Sequence, residues 1–147
     1  MVSVLWFQDC VNEGIVGTSD MAVALHPPVL EVYYSPTCAP CRLELPVLGE
    51  LVRKDGSIVR IVILDQEQRA RGEISAISAL LERSALQPSK LPPRKVLLSA
   101  GDADGILPYA RSIAPSGKTC ATWRGGLTLL RARALLAACR ITAPNSH

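Results

Sequence analysis

The stretch Tyr34-Ser35-Pro36-Thr37-Cys38-Ala39-Pro40-Cys41-Arg42-Leu43-Glu44-Leu45-Pro46 decides how this chain reads. It joins two patterns of different period. Upstream, Val29-Leu30-Glu31-Val32-Tyr33-Tyr34 is β-branched and aromatic, as a buried strand is. Downstream, Leu43, Val47, Leu48, Leu51 and Val52 recur at helical spacing. They predict a helix from about Cys38 to Lys54 with these residues on its apolar face. Between the two patterns, Ser35-Pro36-Thr37 is a tight loop with two residues suited to capping. The paired cysteines therefore fall at a helix start, directly after a strand.

That placement has chemical consequences. Unpaired N–H groups and the helix dipole at the first turn favour a thiolate on Cys38, and the thiolate is the nucleophile. Cys41 lies one turn on, on the same face, within reach of a disulfide with Cys38. Cys38 is expected to attack a substrate disulfide and Cys41, deeper, to resolve the mixed disulfide. Pro40 falls in the first turn, where a missing N–H costs little. Pro46 lies well inside the helix, where proline costs about 3 kcal/mol, and so suggests a kink. Glu44 is three residues beyond Cys41 on the same side. If partly buried it relays a proton to the resolving thiol; otherwise it is a solvated charge near the helix dipole.

Outward from this segment, Ile58–Leu64 is the clearest strand, almost continuous Ile and Val, as a strand covered on both faces should be. Gln66 to about Leu86 reads as a second helix with Ile74, Ile77, Leu80 and Leu81 as its stripe. Pro88, Pro92 and Pro93 break the chain, and Lys95–Ser99 reads as a short extra strand. Tyr109–Ile113 and Thr119–Trp123 flank Pro115-Ser116-Gly117 as a hairpin. Leu127–Cys139 is a final helix whose Arg131, Arg133 and Arg140 form a solvated face. Tyr33, Tyr34 and Trp123 read as core or rim residues, and His26 as a surface loop residue. The order predicts an α/β domain over 29–140, a mixed sheet of four to five strands with helices on both faces. Residues 1–28 form an N-terminal extension, with a strand over Val2–Gln8 and a helical turn over Asp20–His26, and 141–147 form a frayed tail.

The active segment resembles that of the thioredoxin superfamily, and its Cys-Ala-Pro-Cys-Arg-x-Glu-x-Pro pattern is most similar to the TlpA-like thiol-disulfide reductases. The resemblance spans about residues 29–139. It implies a thioredoxin-like fold, a helix-kinking role for Pro46 and a glutamate role for Glu44. It also implies a cis-proline facing the dithiol. Pro108 is the candidate, with Pro93 and Pro92 as rivals, and the backbone of Leu107 would then pair with an extended substrate. Thr37 stands where tryptophan is usual and is assigned to the substrate side. Further departures are Val32 at the place of a buried aspartate, Tyr109 after the candidate cis-proline, and Arg111 in a well-covered strand.

Composition narrows the function classes. Apolar residues make up 48% of 147, which supports one domain with a real core. The net charge of +3 comes without a block of like charges, which excludes a nucleic-acid footprint. Five cysteines, one close pair and three singles, read as one working dithiol plus buried thiols. Cys120 and Cys139 could pair, if the strand and the last helix touch. Zinc is excluded by ligand count, and a purely structural Cys38–Cys41 bridge closes too small a ring to stabilise much. No metal or organic cofactor is expected. Val2–Phe7 is too short for a membrane span, and no Lys or Arg precedes Arg42, so the chain reads as cytoplasmic, or periplasmic if the start is mis-set. The expected function is thiol-disulfide exchange with a protein substrate by a monomer, on the reductase side, fed by an unidentified electron donor. The alternative is a non-catalytic binding or redox-sensing module.

Overall fold

A computed structural model describes residues 26–141. The strand expected over Val2–Gln8, most of the turn over Asp20–His26, Cys10 and the tail beyond Ile141 lie outside the described residues.

Among the described residues five strands and five helices follow in the order β1 (Val29–Tyr34), α1 (Ala39–Asp55), β2 (Ile58–Ile63), α2 (Glu67–Ser75), α3 (Ser78–Arg83), β3 (Ala85–Pro88), α4 (Pro93–Ser99), β4 (Tyr109–Ile113), β5 (Thr119–Arg124) and α5 (Leu129–Ile141). The strands form one mixed sheet in the order β3-β2-β1-β4-β5. β1 pairs parallel with β2, and β2 with β3, while β4 runs antiparallel to both β1 and β5. This is the thioredoxin-like arrangement that the sequence predicts.

The two faces are covered unequally. Leu30, Val32 and Tyr34 of β1 point into a large core filled by α1, α2, α3 and α5, including Leu45, Leu48, Leu51, Ile74, Leu80 and Leu135. Tyr33, Val62 and Tyr109 point the other way, onto a smaller core closed by Leu97 and Ala100 of α4 and its C-cap. Period-two alternation alone assigns these residues to their faces.

Three expectations need correction. The helix over 66–86 is two short helices and an edge strand. The N–H of Ile77 turns back to the Ile74 carbonyl, and the Ser84 hydroxyl bonds the Leu80 carbonyl, so the helical ladder ends before residue 85. Residues 85–88 then pair with β2, with exposed Gln87 and Pro88 suiting a sheet edge. The strand expected over Lys95–Ser99 is helix α4, because Pro93 stands at a helix start, where its fixed φ is favourable. Leu43 is 77% exposed rather than on the apolar face of α1, and Leu45 is buried in its place.

Gly49 lets α1 and α3 approach closely: a Cβ there would lie 2.5 Å from Ile77 Cγ2. On the smaller face, Glu31 is paired in register with Arg60 of β2 and Arg111 of β4. Both guanidiniums reach its carboxylate at 2.8 Å, and the Tyr33 hydroxyl donates to it as well. Burial pushes the Glu31 carboxyl up, but the bonds from Tyr33, Arg60 and Arg111 hold it below its ordinary value. Arg111, odd in a covered strand, is there to neutralise this buried acid.

Candidate active site

Cys38 is the N-cap of α1, with φ −90° and ψ 100°, and its Sγ accepts the Cys41 N–H at 3.2 Å. A sulfur replaces the capping oxygen that usually takes an orphan amide. Cys38 and Cys41 are joined as a disulfide. Cys41 is 1% exposed, while Cys38 is partly open to solvent. The outer sulfur is thus accessible and the inner one sealed. Pro40 lies in the first turn, and Pro46 lies inside α1, where the Arg42 carbonyl loses its helical donor.

The sheet register brings a second segment to the same end of the sheet. Tyr109 of β4 sits opposite Tyr33 of β1, so Leu107 and Pro108 lie beside the turn that follows Tyr34. The Leu107–Pro108 peptide is cis; those before Pro92 and Pro93 are not. Leu107 and Cys38 both pack against the large core. The loop before Pro108 is held by Asp102, fully buried, whose carboxylate accepts the N–H groups of Asp104 and Ile106 at 3.3 and 2.9 Å. Arg124 of β5 pairs with the same carboxylate at 3.1 Å. The sequence reading missed Asp102, although an aspartate in a glycine-rich turn is a recurrent loop organiser.

Glu44 is buried, with its Oε1 accepting the Leu127 N–H at 2.8 Å. Burial pushes its carboxyl up to about 7, and the Leu127 amide pulls weakly the other way. The Leu127 contact comes from the β5–α5 loop, which also ties the Gly125 N–H to the Pro108 carbonyl at 3.1 Å. One loop therefore touches both halves of the site.

Around the nucleophile, Ser35 is buried and its carbonyl accepts the Cys38 N–H at 3.0 Å. Its hydroxyl contacts Asp65 and Thr37. Thr37 is exposed beside Cys38. The sequence offers Ser35 and Thr37 as caps, a role that Cys38 takes instead, and it gives Asp65 no role. A groove of about 530 Å³ lies on the smaller face, over Glu31, Arg60 and Arg111, and neither cysteine lines it. Among the described residues no three His, Cys, Asp or Glu side chains gather to hold a metal ion, and no helix is long and apolar enough to cross a membrane.

Cys120 and Cys139 are not separate buried thiols but a second disulfide, between β5 and α5. A β-bulge explains the reach. Ile113 faces Thr119 while Ser112 faces Ala121, so Cys120 is the extra residue, turned out of the ladder toward α5.

No family model and no curated protein matches the chain. Solved structures do match in fold. A thioredoxin-related protein from Neisseria meningitidis serogroup B superposes with a TM-score of 0.61 at 19% identity, over 79% of this chain and 87% of the other. A putative thioredoxin from Neisseria meningitidis gives 0.62 at 12% identity, over 86% and 87%. A thio-disulfide isomerase from Thermus thermophilus gives 0.52 at 19%, over 78% and 80%. The chain shares the fold of these proteins, in agreement with the thioredoxin-superfamily resemblance of its Cys38–Cys41 segment.

Proposed function

We propose that this chain is a thiol-disulfide oxidoreductase that reduces disulfides in protein substrates. The observation that carries the reading is the dithiol itself: an accessible Cys38 sulfur at the mouth of α1, a sealed Cys41 behind it, and Pro108 at the same end of the sheet.

In the reduced protein the Cys38 thiolate is stabilised by the Cys41 N–H and the helix end. It attacks one sulfur of the substrate disulfide, forms a mixed disulfide and releases the other substrate sulfur as a thiolate, which takes a proton. Glu44, with a carboxyl poised near neutrality, accepts the Cys41 proton. Cys41 then attacks the Cys38 sulfur, closes the disulfide and releases the second substrate thiol. Two electrons pass to the substrate, and a dithiol donor restores the pair. The backbone of Leu107 and the side chain of Thr37 meet the substrate, while Pro40 and Pro46 shape α1. Sulfur carries the electrons, so no metal or organic cofactor is needed. The protein acts as a monomer.

Two features pull the direction oppositely. The helix-end contact favours the reduced form, as in strong oxidants. The sealed, acid-flanked Cys41 is a poor place for a lasting thiolate, and its tendency to close favours a reductase. A potential at or below about −230 mV in glutathione or dithiothreitol buffers is the expected result, and one near −120 mV would reverse the direction. Insulin-type reduction must be lost in Cys38→Ser; activity that survives it removes the residue assignment. The second disulfide, Cys120–Cys139, favours an oxidising compartment over the cytoplasm. Rapid thiol trapping in cells would test that, and a fully reduced Cys120 and Cys139 in place would restore the cytoplasmic reading.

A further inference from the structure

Ser35, Thr37 and Asp65 form a hydrogen-bonded chain beside Cys38, and its direction is fixed. Ser35 Oγ lies 2.6 Å from Asp65 Oδ1 and 2.8 Å from Thr37 Oγ1. The Thr37 N–H also donates to Ser35 Oγ, at 3.3 Å. A carboxylate only accepts, so the single hydroxyl proton of Ser35 goes to Asp65. The contact between the two hydroxyl oxygens still needs a proton, and only Thr37 can supply it. Ser35 Oγ then has one donated and two accepted bonds, which fills its capacity. The Thr37 hydroxyl has committed its only proton inward. Thr37 is an exposed residue next to the nucleophile, and its oxygen has only lone pairs left to offer an incoming chain.

We propose that Thr37 is a specificity-determining residue whose Oγ1 accepts a backbone N–H of the peptide carrying the disulfide, with Ser35 and Asp65 as positioning residues. The substrate class rests on the function proposed above. A lone-pair-only oxygen receives amide N–H groups and repels carbonyl and carboxylate oxygens. An extended peptide offers such an N–H on either side of its cysteine. An amide that leaves water on docking is costly unless it meets an acceptor. Ser35 also accepts the Cys38 N–H through its carbonyl, so one residue sets both the sulfur's turn and the hydroxyl's aim.

The test uses the full chain carrying Cys10→Ser and Cys41→Ser, with Cys38 held as a mixed disulfide to a short cysteine peptide. A second peptide, identical but N-methylated on the amide following its cysteine, competes for Cys38. A parallel pair is methylated on the cysteine's own amide. Each exchange breaks one S–S bond and forms one, and the displaced sulfur leaves as a thiol. Mass spectrometry of the digested adducts reads the equilibrium ratio. The N–H peptide should win by about tenfold in one of the two pairs, equivalent to about 1.4 kcal/mol. Thr37→Val should bring the ratio to about one, Thr37→Ser should keep it, and Ser35→Ala should cut it to about threefold. A ratio near one for both pairs, or one that Thr37→Val leaves unchanged, overturns the proposal. A ratio unmoved by Ser35→Ala removes the positioning role. An equilibrium ratio does not depend on how fast Cys38 reacts, whereas the proposed enzyme does, so the two can fail separately.

Discussion

Cys38–Cys41 joins residues three apart at the mouth of a helix, whereas Cys120–Cys139 joins residues nineteen apart, from the bulge of β5 to the last helix. Ring size alone separates them less than intuition suggests. Chain-entropy arithmetic assigns the longer ring about 3 kcal/mol and the shorter about 2 kcal/mol. The real contrast is in their surroundings. The first has an amide on its outer sulfur, a buried acid one turn away and a proline segment at the same end of the sheet. The second ties two packed elements. The two bridges thus differ in their neighbours more than in the length of chain they span.

Removing one pair or the other should give opposite losses. Cys38→Ser should cut disulfide exchange by a factor on the order of a thousand or more, measured as insulin-type reduction. The double variant Cys120→Ala/Cys139→Ala should keep the exchange but lose about 3 kcal/mol in denaturant unfolding. If it also loses the exchange with its fold intact, the two bridges are not independent.

Glu44→Gln gives the next largest effect. The Glu44 carboxyl rises from 4.5 to about 7 in the folded protein. Between those values the folded protein keeps a proton that the unfolded chain has lost. Stability therefore falls as pH climbs through this window and levels off above about 7. Glu44→Gln should abolish that decline, on the order of 3 kcal/mol, in denaturant titrations at several pH values. It should also remove an inflection near neutrality from the pH dependence of Cys41 reactivity. The smallest effect concerns the other end of the β5–α5 pair, where the Arg131 guanidinium lies 3.8 Å from the Trp123 ring centre. Arg131→Ala should cost about 0.5 kcal/mol with the second disulfide closed. A double-mutant cycle with Cys120→Ala/Cys139→Ala tests whether the bridge and the ring contact reinforce each other.

The same contrast explains what could be read in advance. Cys38, Cys41 and Glu44 stand within seven positions, and local period places them on one helix start. β1, β2 and the hairpin were legible because their runs are long, or are bounded by glycine and proline. The features that escaped depend on partners distant in sequence. Glu31 looks like an error in a buried strand until Arg60 and Arg111 arrive on both neighbours. Cys120 reaches Cys139 through a bulge that no residue type announces. Val96-Leu97-Leu98 is apolar without a period, and only its start at Pro93 makes it a helix. Pro108 was reachable through the family resemblance, because the hairpin follows it directly.

The Cys120–Cys139 bridge has a consequence for proteolysis. It closes a covalent ring that contains the β5–α5 loop, with Gly125, Gly126 and Leu127. A protease that cuts once between residues 121 and 138 would nick this ring without releasing a fragment. The nicked chain would keep its mass on a non-reducing gel and fall into two pieces only when a thiol is added.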